Sequence, residues 1–255
     1  RAQSLYLWGP WFESKRTDMK NNLKKSLDGI YDFMSNAYYG NWQYRWDQTP
    51  YLQKNIKRGK NESILAHQWA CIGFWFYLSR ICPSLAKLVS TTEIYERLLF
   101  HDLGETFEGD ISQFLQMQGR GVGKHKTERK EVKKISKTIL KKMQRELLKH
   151  FDEFEEDFVN MKKLEVIISK FIDLLQGNHF ALVFGNNLKG NSEIISKIVN
   201  KRFMKIADRL LEVLKKGGHK EAYQEVVGVI KHHLESTKKA GIKINKLKSL
   251  LKTIL

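Results

Sequence analysis

Cysteine is almost missing from this chain of 255 residues: there are two, Cys71 and Cys82. On one helix they would stand about 16 Å apart along the axis, too far to bridge. Free thiols in a core fit a reducing cytosol or organelle matrix and argue against secretion. Long apolar runs are missing too. The longest, WACIGFWFYL, covers about half a membrane span, so no transmembrane helix is expected. Its aromatic content suits a buried helix at the domain centre. Proline is scarce, and Pro50 and Pro83 each break an otherwise regular stretch. Acidic residues are outnumbered, with 28 Asp and Glu against 45 Lys and Arg, for a formal net charge of +17. An initiating Met is absent as well. A strongly basic intracellular chain that begins with Arg1 fits a trimmed or processed protein, with the mitochondrial matrix as the expected location.

The positive charge is unevenly spread. From Arg120 to Lys149 twelve Lys and Arg face three acids, and from Lys197 to Leu255 fifteen face five, which leaves the remainder slightly acidic. Two long basic segments exceed what one small anion needs. They suit a polyanion, whose phosphates release counterions when neutralised. RNA or a ribonucleoprotein assembly is therefore a candidate partner, through 120–149 and 197–255. The plainer reading is a pair of solvated amphipathic helices whose lysines meet nothing but water.

Apolar spacing predicts helices along most of the chain. Residues 1–16 read as an aromatic peptide that packs on something, and Asp18 to Tyr39 as a first helix with Leu23, Leu27, Ile30 and Met34 on one face. Asn61 or Ser63 can cap a helix that carries His67 and runs to about Ile81. A helix from Glu93 to Leu103 leads into His101-Asp102, and single helices are expected over Thr127–His150 and Met161–Phe184. Ser192–Lys216 and Lys220–Lys239 read as two more, with a short basic helix from Asn245 to Leu255. The segment from Gln118 to Lys124 lacks the first glycine and the hydroxyl of a Walker loop, so it reads as a flexible basic turn. His232 and His233 read as solvated, and the acidic run DEFEEDF as structural. The expected division is an N-terminal peptide and helix (1–44), a core (45–190) and a basic helical extension (191–255).

Metal-ligand residue types stand at three places: His67, the pair His101-Asp102 within FHDLGETFEGDI, and Asp173. Imidazole nitrogen with carboxylate oxygen suits one borderline divalent cation. A lone His67 on an apolar helix is more often a satisfied core histidine, and Asp173 within VIISKFIDLL could simply be partly exposed. Three blocks in order weigh against that. ESILAH, HDLGETFEGDI and EVIISKFID together resemble the HD-domain phosphohydrolases, and within them the 5′-deoxynucleotidase branch.

The resemblance implies an all-α, orthogonal helical HD core with added N- and C-terminal helices. It implies one divalent metal ion (Mn, Co, Zn, Fe or Mg) on His67, His101, Asp102 and Asp173. Glu105 would orient or deprotonate the attacking water, and Asp110 would assist the leaving group. Arg45 would grip the substrate phosphate, with Arg58 or Lys60 as alternatives. The expected activity is metal-dependent hydrolysis of nucleoside 5′-monophosphates. The alternative is a non-catalytic HD-fold subunit of an RNA-containing assembly such as a mitochondrial ribosome.

Overall fold

A computed structural model describes residues 24–46, 48–52, 61–107, 109–116 and 118–244. The expectations for 1–16, Arg58, Lys60 and 245–255 lie outside the described residues. Among those described, the structure is all-α, with no strand. Helix α1 is described over 24–37 and passes into a 3-10 turn, Tyr38–Asn41. Then come α2 (Ile64–Ile81), one turn of α3 (Pro83–Ala86) and α4 (Thr91–Phe100). A 3-10 turn, Leu103–Glu105, and a single turn of α5 (Gln113–Gln116) lead to α6 (Lys124–Ile135) and α7 (Lys141–Phe154). The long α8 (Leu164–Phe184) is followed by α9 (Ser192–Ile198), a π turn (Val199–Phe203), α10 (Met204–Lys216) and α11 (Lys220–Lys239).

Local chemistry sets several of these ends. The Ser63 hydroxyl accepts from the Ala66 amide at 3.1 Å and starts α2; Ser90 does the same for α4 through Glu93. Pro83 opens α3, where its missing N–H costs nothing. The next amides, Ser84 and Leu85, donate to the Glu225 carboxylate of α11 at 3.1 and 2.9 Å, which ties the last helix to the third.

Helix α8 is the axis of the fold. Twelve of its 21 residues are buried, and α2, α4 and α10 pack around it. By length and composition α8 could cross a membrane, but 67% of its apolar window is buried within the fold. One apolar cluster runs from Tyr51 to Ile242, so α9 to α11 share the core of the earlier helices. A smaller cluster of Phe33, Leu103, Val132, Ile135, Leu147 and Phe151 clamps α1, α6 and α7 onto the turn after His101.

Four details differ from the expectations. The helix over Thr127–His150, and with it the single basic helix over 120–149, is two helices. The Ser136 hydroxyl bonds back to Val132 O at 2.6 Å, Thr138 donates to Gly29 O at 3.0 Å, and Ile139 is extended. The chain then folds α7 back on α6, leaving Leu140 and Met143 exposed. The π turn interrupts the helix expected over Ser192–Lys216. Helix α2 is not central, since Trp69 and Tyr77 are 76% and 69% exposed. Finally, His233 is buried against Phe203 while His232 stays exposed.

That last difference carries a pH signature. Burial, helped by His179 and His232, pulls the His233 imidazole down from 6.5 to about 4. The folded chain therefore binds fewer protons here than the unfolded chain between those values, and stability falls as pH drops through the window. The loss reaches about 3 kcal/mol. Unfolding midpoints from pH 7 to 4 should fall less steeply for His233→Phe than for the native chain; equal slopes would refute the assignment.

Candidate metal centre

An antiparallel bridge between Tyr44 and Ser63 pins the loop before α2 to the start of that helix. Arg45 N donates to Glu62 O at 2.9 Å, and Ile64 N to Gln43 O at 3.0 Å. Trp46 follows with a backbone φ of 73°, a strained value for a bulky residue that costs about 1–3 kcal/mol. Its indole donates to Glu62 Oε2 at 2.8 Å and stacks on Phe180 of α8. Arg45 thereby faces inward, toward Asp102 and Asp110.

His67 lies in the first turn of α2, His101 caps the end of α4, Asp102 follows it, and Asp173 stands midway along α8. Their acceptor atoms converge. His67 Nε2 is 3.0 Å from His101 Nε2, 3.5 Å from Asp102 Oδ2 and 3.2 Å from Asp173 Oδ1. His101 Nε2 is 3.4 and 3.8 Å from the same two oxygens.

Each imidazole spends its other nitrogen outward. His67 Nδ1 donates to Gln176 Oε1 at 2.5 Å, and Gln176 Nε2 donates to Glu62 Oε1 at 2.6 Å. His101 Nδ1 donates to Leu98 O at 3.0 Å. In the neutral rings both Nε2 atoms are then left as lone-pair acceptors facing two carboxylates, open to a proton or a metal ion.

The four residues fit a cation. Two donors at about 2.0–2.2 Å from one ion lie roughly 3.0–3.5 Å apart at octahedral to tetrahedral angles, near the separations found here. Asp102 Oδ2 is buried without a well-formed hydrogen bond, its nearest cation being Arg45 Nη1 at 3.3 Å, so lone-pair capacity remains for an ion. The adjoining cavity is lined by six carboxyl groups (Asp102, Glu105, Asp110, Glu128, Glu155, Asp173) and four cations (Arg45, Lys124, Lys170, Arg202), a surplus of acidic groups that favours a bound cation.

Charge sets the titration of these groups. Burial opposes ionisation of Asp102, yet His101, Arg45 and His67 pull it down to about 2. Asp173 is held well below the carboxylate range against burial, by His67 and Lys170. Burial and Arg45 lower His67, yet its contact with the Asp173 carboxylate helps to hold it well above 6.5; burial lowers His101. The cluster thus attracts positive charge.

Glu105 does not continue the α4 helix as expected, because α4 stops at Phe100 and the 3-10 turn delivers it instead. Lys124 Nζ holds it at 2.7 Å and reaches Asp110 at 3.3 Å and Glu128 at 3.2 Å. Burial, with Asp102 and Asp110, raises Glu105 well above its usual range, and burial lifts Glu128 to about 7. Arg45 lies 3.3 Å from Asp102 and 4.0 Å from Asp110. Lys124 belongs to the segment read as a flexible turn, and the Gly-rich approach to a lysine was its signal. Glu62, Gln176, Glu128, Lys170 and Arg202 were not singled out from the sequence.

Cys71 was also missed, although His67 and Cys71 are four apart on one helix. Ligand atoms of His67, Cys71 and His101 lie within 4.8 Å of one another. The sulfur is 3.7 Å from His67 Nδ1 and 3.6 Å from Nε2, which sets it against the ring rather than off the Nε2 lone pair. Burial raises its pKa and keeps it a thiol. The carboxylates Asp102 and Asp173 are therefore the better partners for the imidazoles.

The family model for the HD domain matches residues 51–215. The chain belongs to the HD-domain family. A search of curated proteins gave no match. HD domains are in general metal-dependent hydrolases and usually bind divalent metals, and the cluster described here is suited to such an ion.

In this HD domain Gly104 lets α6 approach the turn after His101. A Cβ at that position would lie 2.5 Å from Glu128 Cβ and 2.9 Å from Glu128 O. Gly104→Ala should cost about 1–3 kcal/mol in thermal unfolding. Gly228→Ala, where a Cβ meets nothing within 4 Å, should stabilise by about 0.5–1 kcal/mol. Calorimetric titration of the chelator-treated chain should give one equivalent of Mn²⁺ or Zn²⁺. Gln176→Ala, which frees the His67 ring, should weaken that binding about 10–100-fold, and Asp173→Ala by more.

Proposed function

We propose that this HD domain is a phosphomonoesterase acting on nucleoside 5′-monophosphates, in the manner of the 5′-deoxynucleotidase branch. The observation that carries the reading is the convergence of His67, His101, Asp102 and Asp173 beside a cavity that also holds Glu105, Asp110 and Arg45. A divalent ion of the Mn, Co, Zn, Fe or Mg class on these ligands supplies a more acidic water and polarises a phosphoryl oxygen.

The chain's own residues do the rest. Glu105, whose pKa burial raises, is a stronger base when ionised than a solvated carboxylate and can accept the water's proton. Lys124 holds Glu105 and Asp110 at a fixed separation, so that Asp110 can face the departing nucleoside oxygen. Arg45 offers its guanidinium to the phosphate. Trp46, Leu174, Ala181 and Leu182 give the same cavity an apolar wall for a base or sugar.

Phosphate release should be measured across ribo- and deoxynucleoside monophosphates with each metal in turn. The native chain should turn over at least one substrate. Asp102→Ala should abolish turnover, and Glu105→Gln should lower kcat about 100-fold or more. Silence from the folded, metal-loaded chain would sink the proposal.

A second reading rests on a separate observation. Lys126, Lys130, Lys133, Lys137, Lys141 and Lys142 are exposed across α6, its following turn and α7, with no acidic partner within 4.0 Å among the described residues. This face suits RNA phosphates in a large assembly. Reversing three of these lysines to Glu should flatten the salt dependence of RNA binding by about 2–3 in log–log slope. An unchanged slope would remove the RNA reading.

A further inference from the structure

Four cations line the cavity beside the metal-ligand cluster, and three of them have carboxylates within 4.0 Å. Arg45 has Asp102 and Asp110 at 3.3 and 4.0 Å. Lys124 has Glu105, Asp110 and Glu128. Lys170 has Glu155 at 3.5 Å and Asp173 at 3.6 Å. The fourth, Arg202, has no carboxylate within 4.0 Å among the described residues. Its hydrogen bond is one long contact of 3.4 Å from Nη1 to the amide oxygen of Gln116.

The backbone around Arg202 is as unusual as its lack of a counterion. It sits on the π turn between α9 and α10, where one extra residue enters the helical turn. Such turns commonly re-aim a side chain at a functional position. Val199 and Phe203 of the same turn are 1% and 0% exposed in the core, while Arg202 lines the cavity. Burial depresses its pKa, and Asp173, Glu155 and Asp110 act on it from across the cavity in the opposite sense. Arg202 is half-buried, and taking a guanidinium partly out of water without an adjacent anion carries a cost that is recovered when an oxyanion docks. The planar fork of Arg binds two oxygens of one phosphate at once.

We infer that Arg202 is the anion-binding residue of the far wall, taking the phosphate of a phosphate monoester between itself and the His67–His101–Asp102–Asp173 cluster. This deepens the proposed function and rests on it for the reaction. It does not rest on it for binding. It also makes the π turn part of the site, so the helices beyond α8 contribute recognition as well as core.

The test uses the full chain, with orthophosphate as the probe. Phosphate binding is read by calorimetry on protein carrying one equivalent of Mn²⁺, with circular dichroism to check folding. Arg202→Met should weaken binding about ten-fold or more. Arg202→Lys, which keeps the charge and loses the fork, should fall between the two and decides the matter if the Met variant misfolds. Lys205→Met, an exposed cation on the next turn, should bind like the native chain. Equal affinity of the native, Met and Lys proteins would overturn the inference, as would no phosphate binding by the native chain or an equal loss in Lys205→Met. In turnover, the Met variant should raise KM about ten-fold and leave kcat nearly unchanged. Native turnover with unaltered KM in the variant would refute the role of Arg202 and leave the hydrolase intact. Arg202-dependent phosphate binding with no turnover would refute the hydrolase and leave Arg202 its role.

Discussion

Two imidazole nitrogens that both present lone pairs repel, and here they stand 3.0 Å apart with two carboxylate oxygens beside them. Such a group of acceptors is stable only around positive charge, whether proton or metal ion. Much of the surrounding structure serves to hold the acceptors in that unfavourable closeness. Gln176 and Leu98 O accept the outward protons, and Glu62 accepts from both Gln176 and the Trp46 indole. The strain at Trp46 is offset by an indole hydrogen bond, a ring stack and the placement of Arg45. No member of this chain can rotate alone without unpairing the next.

A second constraint is the density of charge near α6. Lys124 meets three carboxylates, and that is possible only because α6 lies close to the turn carrying Glu105. Gly104 permits the approach, and the cluster of Leu103, Val132 and Phe151 makes it favourable. The acidic run at the end of α7 has a related task. Asp152 pairs with Arg129, Glu153 with buried Arg97, and Glu155 with Lys170 at the cavity wall.

The sequence was most legible where residue identity carries the chemistry. His67, His101, Asp102 and Asp173 are unusual on otherwise apolar helices, and their order along the chain sufficed to single them out before geometry gathered them. The all-α class was legible from periodicity for the same reason. The break between α6 and α7 was not, because Ile139, Leu140 and Met143 continue the apolar pattern straight through it, and only Ser136 and Thr138 bonding to backbone carbonyls ends the helix. Gln176 and Glu62 are polar residues whose meaning depends on partners 109 and 114 residues away. Lys124 was hidden by the ambiguity of glycine. Gly123, at φ 83°, reads equally as a loose loop or as the left-handed residue that starts α6 and aims the lysine inward.

The separation of these partners along the chain has its own consequence. His67 and His101 are 34 residues apart, and His67 and Gln176 are 109 apart. An ion shared by α2, α4 and α8 therefore draws together segments far apart in sequence, and its binding offsets the entropy lost in closing the chain between them. The centre would act as a clip across the whole core. Through mass action, the fraction of folded chain would rise and fall with the free metal concentration around it.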